Sequence, residues 1–275
     1  MLNGGGLRDV TKLHGKNGDL KDLNAQDEMA SDLHALFIQN VSHELRTPLS
    51  IILGYAELLN GEGMGELNES QRQAVNKILD HASDMRALIG RIDTLMEVRA
   101  GRMLAVPIKV DDALRNTLQK GREAAESAGL GWQSTIQEQL PFLSGDPQHL
   151  ERALDCLIDN AIKFTPEGGE VRVEVRTEGE NILIGVSDTG IGIEPDKLSH
   201  IFEDFYQADP SATRRHRGIG LGLTVTNAVT QALKGRIEVE SVPGQGSTFT
   251  LVLPELPLSM AITCALEDEE VLLYI

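Results

Sequence analysis

The sequence predicts an α + α/β protein in which an antiparallel helical hairpin, dimerising into a four-helix bundle, precedes an α/β sandwich. Three observations carry this. Phe37, Val41, Leu45, Leu49, Ile52, Ala56 and Leu59 recur in steps of three and four, which is one stripe of an amphipathic helix. Val75, Ile78, Ala82, Met85, Ile89, Ile92 and Met96 keep an alternating three-four step, the seam of coiled-coil-like packing. Beyond residue 110 strand-like and helix-like stretches interleave.

Residues 26–60 read as one long helix. The stretch GEGMGELNES, residues 61–70, is a turn, and Asn68 or Ser70 can cap the helix that follows. Two long helices around a short turn make a hairpin that buries little by itself, so a second copy is expected to complete a bundle. AGRMLAVPIKV, residues 100–110, breaks the helical pattern and marks a domain joint. Residues 111–128 then read as helix, GWQSTIQ as strand and residues 147–164 as a strong helix. EVRVEVRTE and NILIGVSD alternate as two strands joined at Gly179. DKLSHIFEDF reads as helix, followed by a polar, Arg-rich loop and the helix LGLTVTNAVTQAL. RIEVES and STFTLVLP close the sheet around a Pro243-Gly244 turn. Strands paired as hairpins with helices between them give a mixed sheet with helices on one face.

The 275 residues suffice for about two domains. Twenty-five Lys and Arg against 42 Asp and Glu leave a net charge of −17, which argues against nucleic acid or an anionic membrane as partner. A small phosphate-bearing ligand is still compatible, because a few local cations serve it. No stretch approaches the ~20 apolar residues of a membrane span. Cys156 and Cys264 lack metal-ligand spacing and fit a reducing, cytoplasmic compartment.

Within FIQNVSHELRTPLS, residues 37–50, His43 lies roughly opposite the apolar stripe, with Gln39, Thr47, Ser50 and Gly54 nearby on the outer face. Pro48 cannot donate to the carbonyl of Glu44 and crowds it, so the helix should bend one turn after the histidine. Taken alone, this piece is better explained by a surface histidine beside a tolerated kink than by a functional one. In LIDNAIKFTP, Asn160 offers a hard oxygen to Mg²⁺ and Lys163 a cation to phosphate, although an Asn near a helix end is commonly a cap. In DTGIGI, Asp188 ends a strand with acceptors suited to an exocyclic amine such as adenine's, while Gly190 and Gly192 let backbone approach a flat ligand. In RRHRGIGLGL, Gly218, Gly220 and Gly222 precede a helix whose free N–H groups can meet phosphates. A dinucleotide fingerprint is excluded there, since Arg214, Arg215, His216 and Arg217 are no buried strand. No GxxxxGK[ST] or HExxH occurs, which excludes a Walker-type loop and a zinc protease.

In this order the pieces resemble a sensor histidine kinase of the two-component family. NVSHELRTPLS resembles its phospho-acceptor box, DNAIKFTP the N box and DTGIGI the first glycine box. IFEDFYQAD resembles the phenylalanine box and GIGLGL the second glycine box. The resemblance implies a dimeric hairpin bundle over residues 26–100 and a Bergerat-type ATP-binding domain over 101–256. It implies that His43 takes the γ-phosphoryl group of ATP, that Glu44 holds the other ring nitrogen and acts as base, and that Thr47 aligns a water for dephosphorylating the partner regulator. It gives Mg²⁺ to Asn160, phosphate to Lys163 and adenine to Asp188. Gly190, Gly192, Gly218, Gly220 and Gly222 then shape the pocket, with Arg215, Arg217 and Leu221 completing the nucleotide contacts, and residues 194–219 form a mobile lid. The implied partners are a second copy, a response-regulator receiver domain and an upstream sensor domain.

Two positions depart from the family pattern. Cys156 stands where another asparagine is usual, and Arg217 where the second glycine box often begins with glycine. Residues 7–13, LRDVTKL, resemble the exit of a PAS sensor domain, so residues 1–25 are expected to be a linker from one. ITCALEDEEVLL, within the tail 257–275, faintly resembles the first strand of a receiver domain. The competing readings are a nucleotide-binding scaffold without transfer, suggested by Cys156, and another ATPase of the same nucleotide fold.

Overall fold

The structure, a computed structural model, describes residues 41–42, 44–61, 64–207 and 220–257. The expected helix before residue 41, His43, the Arg-rich half of the lid and both terminal resemblances lie outside the described residues. The chain divides into two compact units, Met1–Ile89 and Gly90–Ile275.

In the first unit, helix α1 runs over 44–60 and continues through Pro48. The Ser50 hydroxyl donates to the carbonyl of Arg46 at 2.9 Å. Helix α2, Glu69–Arg99, starts from a capping box. Asn68 Oδ1 accepts from the Gln71 N–H at 2.9 Å and Gln71 Oε1 from the Asn68 N–H at 3.0 Å, which satisfies two otherwise orphaned donors. Of the two expected caps, Asn68 is therefore the one used.

The apolar seams are only half covered. In α2, Val75, Ala82 and Ile89 are buried at seven-residue spacing, whereas Ile78 and Met85, also seven apart, are each 46% exposed. Before and along α1, Ser42, Leu49 and Ala56 are buried, whereas Leu45 and Ile52 are 40% and 49% exposed. Leu49, Leu53, Ala82 and Ile89 form the small core, with Leu79 against it. The expected stripe therefore splits: one heptad position packs within the hairpin and the other does not.

The second unit is built on a five-stranded sheet in the order β2-β4-β5-β7-β6. Its members are β2 Gly131–Ile136, β4 Glu170–Glu178, β5 Asn181–Asp188, β6 Arg236–Val242 and β7 Gly246–Pro254. β4 and β5 form a hairpin through Gly179, at φ +62°, and Glu180. β6 and β7 form a second hairpin, and β7 pairs with β5 to join them. Not every strand is in a hairpin: β2 lies parallel to β4, which demands a long crossover. That crossover carries β3, Phe142–Gly145, and α4, Pro147–Phe164. β3 pairs with β1, Val106–Lys109, as a two-stranded ladder inside the expected domain joint, and sequence reading had missed both strands.

Val171, Val173 and Val175 of β4, with Ile182, Ile184 and Val186 of β5, face the core and are at most 1% exposed. Each contributes roughly 1.5–3 kcal/mol on burial. The alternate residues Arg172, Glu174 and Arg176 face solvent, which is the period-two pattern of a sheet covered on one face. Helices α3, Val110–Ser127, α4 and α5, Gly222–Ala232, supply the cover. The end of α3 is fixed by Gly129 at φ +71°, with the Leu130 N–H bonded back to the Ala125 carbonyl. The start of α4 is fixed by Asp146, whose side chain accepts from the Gln148 N–H, with Pro147 in the first turn.

One expected helix is absent. DKLSHIFEDF and its flanks form a chain of tight turns: Lys197, His200, Glu203 and Tyr206 each donate to the carbonyl three residues back. Only Ile201 is a buried anchor there, while Phe205 is 63% exposed and sits at φ +62°. One anchor gives no continuous apolar stripe to hold a helix.

Candidate functional site

The last two turns of α4, the segment after β5, the β6–β7 turn and the start of α5 converge in the second unit. The Ile191 N–H donates to the carbonyl of Phe164 at 3.2 Å, tying the segment after β5 to the end of α4. The Gly244 N–H donates to the carbonyl of Ile191 at 2.8 Å, adding the turn between β6 and β7. A β-carbon on Gly222 would lie 3.6 Å from Asn160 Nδ2 and 3.7 Å from Cys156 Cβ, so the start of α5 lies against the α4 face that bears Asn160.

Glycine is required where three backbone segments approach closely. Gly192 has φ +66°, and a β-carbon there would run into the Val242 carbonyl. Gly220 has φ +76°, and a β-carbon would run into the Tyr206 carbonyl. Gly190 likewise abuts the Phe164 carbonyl. Backbone therefore packs on backbone at these three glycines.

Asp188 closes β5 and is half-buried. Its Oδ1 accepts from the Gly190 N–H at 2.8 Å, and the Ser247 backbone also bonds the carboxylate. Burial raises its pKa above the usual aspartate value, and the two backbone bonds oppose that shift. The result is a fixed carboxylate beside glycine backbone, an acceptor for an amine donor on a flat ring.

Asn160 and Lys163 lie on one stripe of α4 and are both half-buried. Lys163 Nζ stands 4.9 Å from the centroid of the Phe164 ring. Its pKa is lowered, first by burial and then by the nearby charge of Arg91, with the Asp159 carboxylate opposing the shift. Cys156, one turn before Asn160, is fully buried, and burial pushes its thiol up to about 11. It is a neutral packing group at neutral pH and provides no anionic ligand.

Leu221 is 2% exposed and precedes the first turn of α5, whose N-terminus has no side-chain cap. Thr226 Oγ1 reaches the Ala153 carbonyl at 3.1 Å and holds α5 against α4. Thr224 Oγ1 reaches the Glu203 carbonyl at 3.2 Å and ties α5 to the chained turns. Arg215, Arg217 and Gly218 lie outside the described residues. In the first unit, Glu44 and Thr47 are exposed on α1, and their neighbour His43 lies outside the described residues. Sequence reading had missed Arg91 and Ser247. Arg91 carries no motif, and Ser247 acts through its backbone, which residue type does not reveal.

An uncapped helix start, an amide, a half-buried carboxylate and glycine backbone beside a mixed sheet make an α/β sandwich suited to a nucleotide, which follows a helical hairpin in sequence. Residues 145–257 match the family described as histidine kinase-, DNA gyrase B- and HSP90-like ATPase. Residues 33–101 match the His Kinase A (phospho-acceptor) domain. The chain belongs to the sensor histidine kinases of two-component signalling. It is 34% identical over 244 residues to the circadian input-output histidine kinase CikA of Synechococcus elongatus, covering 87% of this chain and 32% of that protein. It is 33% identical over 247 residues to the phosphate regulon sensor protein PhoR of Pseudomonas aeruginosa, covering 89% of this chain and 52% of PhoR. A crystal structure of full-length ShkA in complex with AMPPNP is similar at a TM-score of 0.63 and 29% identity, over 79% of this chain and 45% of that one. The chain thus spans about half the length, or less, of these relatives. No described helix is long and apolar enough to cross a membrane.

Proposed function

We propose that this chain is the catalytic core of a cytoplasmic sensor histidine kinase that phosphorylates itself on His43 with ATP. The observation that carries the reading is the last part of α4, where Asn160 faces the start of α5 at Gly222 and the Phe164 carbonyl abuts Gly190, which holds Asp188, in a chain whose phospho-acceptor match spans His43. Asp188 accepts from the adenine amine, and Gly190 and Gly192 let the backbone lie against the ring. Lys163 and the basic segment with Arg215 and Arg217 meet phosphate charge, and Gly218, Gly220, Leu221 and Gly222 bring helix N–H groups to it.

A neutral imidazole nitrogen of His43 attacks the γ-phosphorus, the bond from that phosphorus to the β–γ bridging oxygen breaks, and ADP leaves with the electron pair. Glu44 accepts a hydrogen bond from the other ring nitrogen and takes up the proton. The phosphoryl group then passes from the His43 nitrogen to a carboxylate oxygen of a response-regulator aspartate, the N–P bond breaks with its electron pair left on the ring, and Glu44 returns the proton, which restores a neutral imidazole. Alignment and charge neutralisation carry most of such a transfer. Among the described residues no cluster of three His, Cys, Asp or Glu side chains is arranged to hold a metal. Asn160 would hold Mg²⁺ together with the nucleotide's own phosphates, since that ion ordinarily keeps few protein ligands. When bound, it would neutralise phosphate charge.

Residues 26–100 act as the dimerisation and phosphotransfer domain and residues 101–256 as the catalytic domain. The uncovered heptad layer of Leu45, Ile52, Ile78 and Met85 supports a homodimer, since a second hairpin supplies the matching apolar layer. Thr47, exposed one turn from His43, holds the water that dephosphorylates the regulator.

Labelling with [γ-³²P]ATP tests the reading. The label is expected to be acid-labile and base-stable, lost in His43→Gln and slowed roughly 10²–10⁴-fold in Glu44→Gln. Binding of ATP without labelling would make the chain a nucleotide-binding scaffold. Hydrolysis of ATP without a phosphoprotein would make it another ATPase of this fold. Thr47→Ala is expected to keep autophosphorylation and lose regulator dephosphorylation, and loss of both together would assign Thr47 to the shape of the helix at Pro48.

A further inference from the structure

Arg91 lies in the last third of α2, within the second unit, and belongs to none of the kinase motifs. Its Nη2 donates to Asp159 Oδ2 at 2.7 Å. The arginine side chain is 26% exposed and the aspartate 59%, so the guanidinium is the more enclosed partner. Asp159 immediately precedes Asn160, and Cys156 and Lys163 lie one helical turn to either side of it. Arg91 therefore stands on the stretch of α4 that carries Asn160 and Lys163, and its charge is among the causes of the lowered Lys163 pKa. Its charge is also among those acting on the Cys156 thiol. Two cations are thus set side by side in a chain whose net charge is −17. Several negative charges on the Asn160 side would be met by both cations.

We propose that Arg91 is a polyphosphate-binding residue of the nucleotide site, held by Asp159 until the terminal phosphates of a nucleoside triphosphate displace that carboxylate. The inference rests on the nucleotide-site reading above. A guanidinium forks onto phosphate oxygens as it does onto a carboxylate, so the exchange preserves its hydrogen bonds. A pair with so exposed a carboxylate holds weakly and is readily traded. The neutral Cys156 thiol leaves this stretch of α4 without a further polar contact for phosphate, which Arg91 would supply from Asp159.

Calorimetric titration of the whole chain with MgATP and with adenosine tests this. Arg91→Ala is expected to weaken MgATP about 10-fold, the loss of one charge-assisted contact in a partly hydrated site, and to leave adenosine unchanged. Arg91→Lys should recover part of the loss, because the charge remains and the fork does not. Asp159→Asn should tighten MgATP several-fold by freeing the guanidinium. Equal weakening of MgATP and adenosine in both Arg91 variants would show that Arg91 only ties α2 to α4 and would overturn the proposal. So would unchanged MgATP affinity in Arg91→Ala with an unchanged melting curve. If wild-type protein binds neither ligand, the nucleotide-site reading itself falls, a result visible before any variant is made.

Discussion

Asp188→Asn isolates the group read as the adenine acceptor. The carboxylate is fixed by the Gly190 N–H at 2.8 Å and by the Ser247 backbone, so the substitution changes the chemistry of an already oriented group. An asparagine keeps one oxygen for those donors and turns its amide nitrogen on the other side, where an adenine amine arrives as a second donor. A lost charged hydrogen bond plus a donor–donor contact costs about 2–3 kcal/mol, or ~30–150-fold in affinity. The same nitrogen can donate to the carbonyl of a 6-keto purine, so GTP should lose little or gain. Titration calorimetry with MgATP and MgGTP on wild-type and variant protein reads both. Weakening of the two nucleotides by equal factors would mean that Asp188 supports the loop rather than reads the base. Unchanged ATP affinity would refute the assignment. Acid acts on the same group: burial raises the folded pKa, so the carboxylate takes up its proton at a higher pH than an ordinary aspartate does. Adenosine affinity should therefore fall as pH drops through that raised value. Asp188's own contribution to the stability of the ligand-free protein should rise over the same interval, since the folded state binds the proton more tightly than the unfolded state.

Three further outcomes follow from the packing. Gly192→Ala forces φ +66° on an alanine and drives its β-carbon into the Val242 carbonyl, so about 2–5 kcal/mol should be lost, lowering the melting temperature by roughly 5–15 °C in a differential scan. Asn68→Ala removes the reciprocal bonds with Gln71 and should cost the hairpin about 1 kcal/mol in urea unfolding, with nucleotide affinity unchanged. Cys156, with its thiol pushed up to about 11 and fully buried, should resist iodoacetamide at pH 8 in native protein and react after denaturation. Rapid native labelling of Cys156 by mass spectrometry would contradict the burial.

The parts of the fold legible in the sequence are those whose side chains repeat with the period of their own element. EVRVEVRTE and NILIGVSD alternate because one face of the sheet is covered and the other wet, and they are β4 and β5 residue for residue. The helix read over residues 147–164 is α4, because its apolar face is unbroken and Asp146-Pro147 marks its start. β1 and β3 were illegible: each has four residues, one contains Pro107, and the partnership joins Val106 to Gly145 across the whole of α3 and β2. DKLSHIFEDF has helix-like composition, but the structure buries Ile201 and leaves Phe205 at positive φ, a choice made by tertiary contacts. Within the candidate site, Asp188, Asn160 and the glycines were visible because their chemistry depends on residue type at fixed spacing. Arg91 was not, because its meaning comes from Asp159, which is 68 residues away in sequence.

The half-covered heptads of the hairpin bear on how the chain should melt. Layers such as Ile78 and Met85 gain their stabilisation only when something packs on them, so the free energy of the hairpin contains a mass-action term. The second unit, with its own sheet and helical cover, has none. A single melting temperature would therefore be the wrong descriptor for this chain. Its heat-capacity trace should resolve into one transition that climbs with protein concentration and another that ignores concentration but climbs with nucleotide.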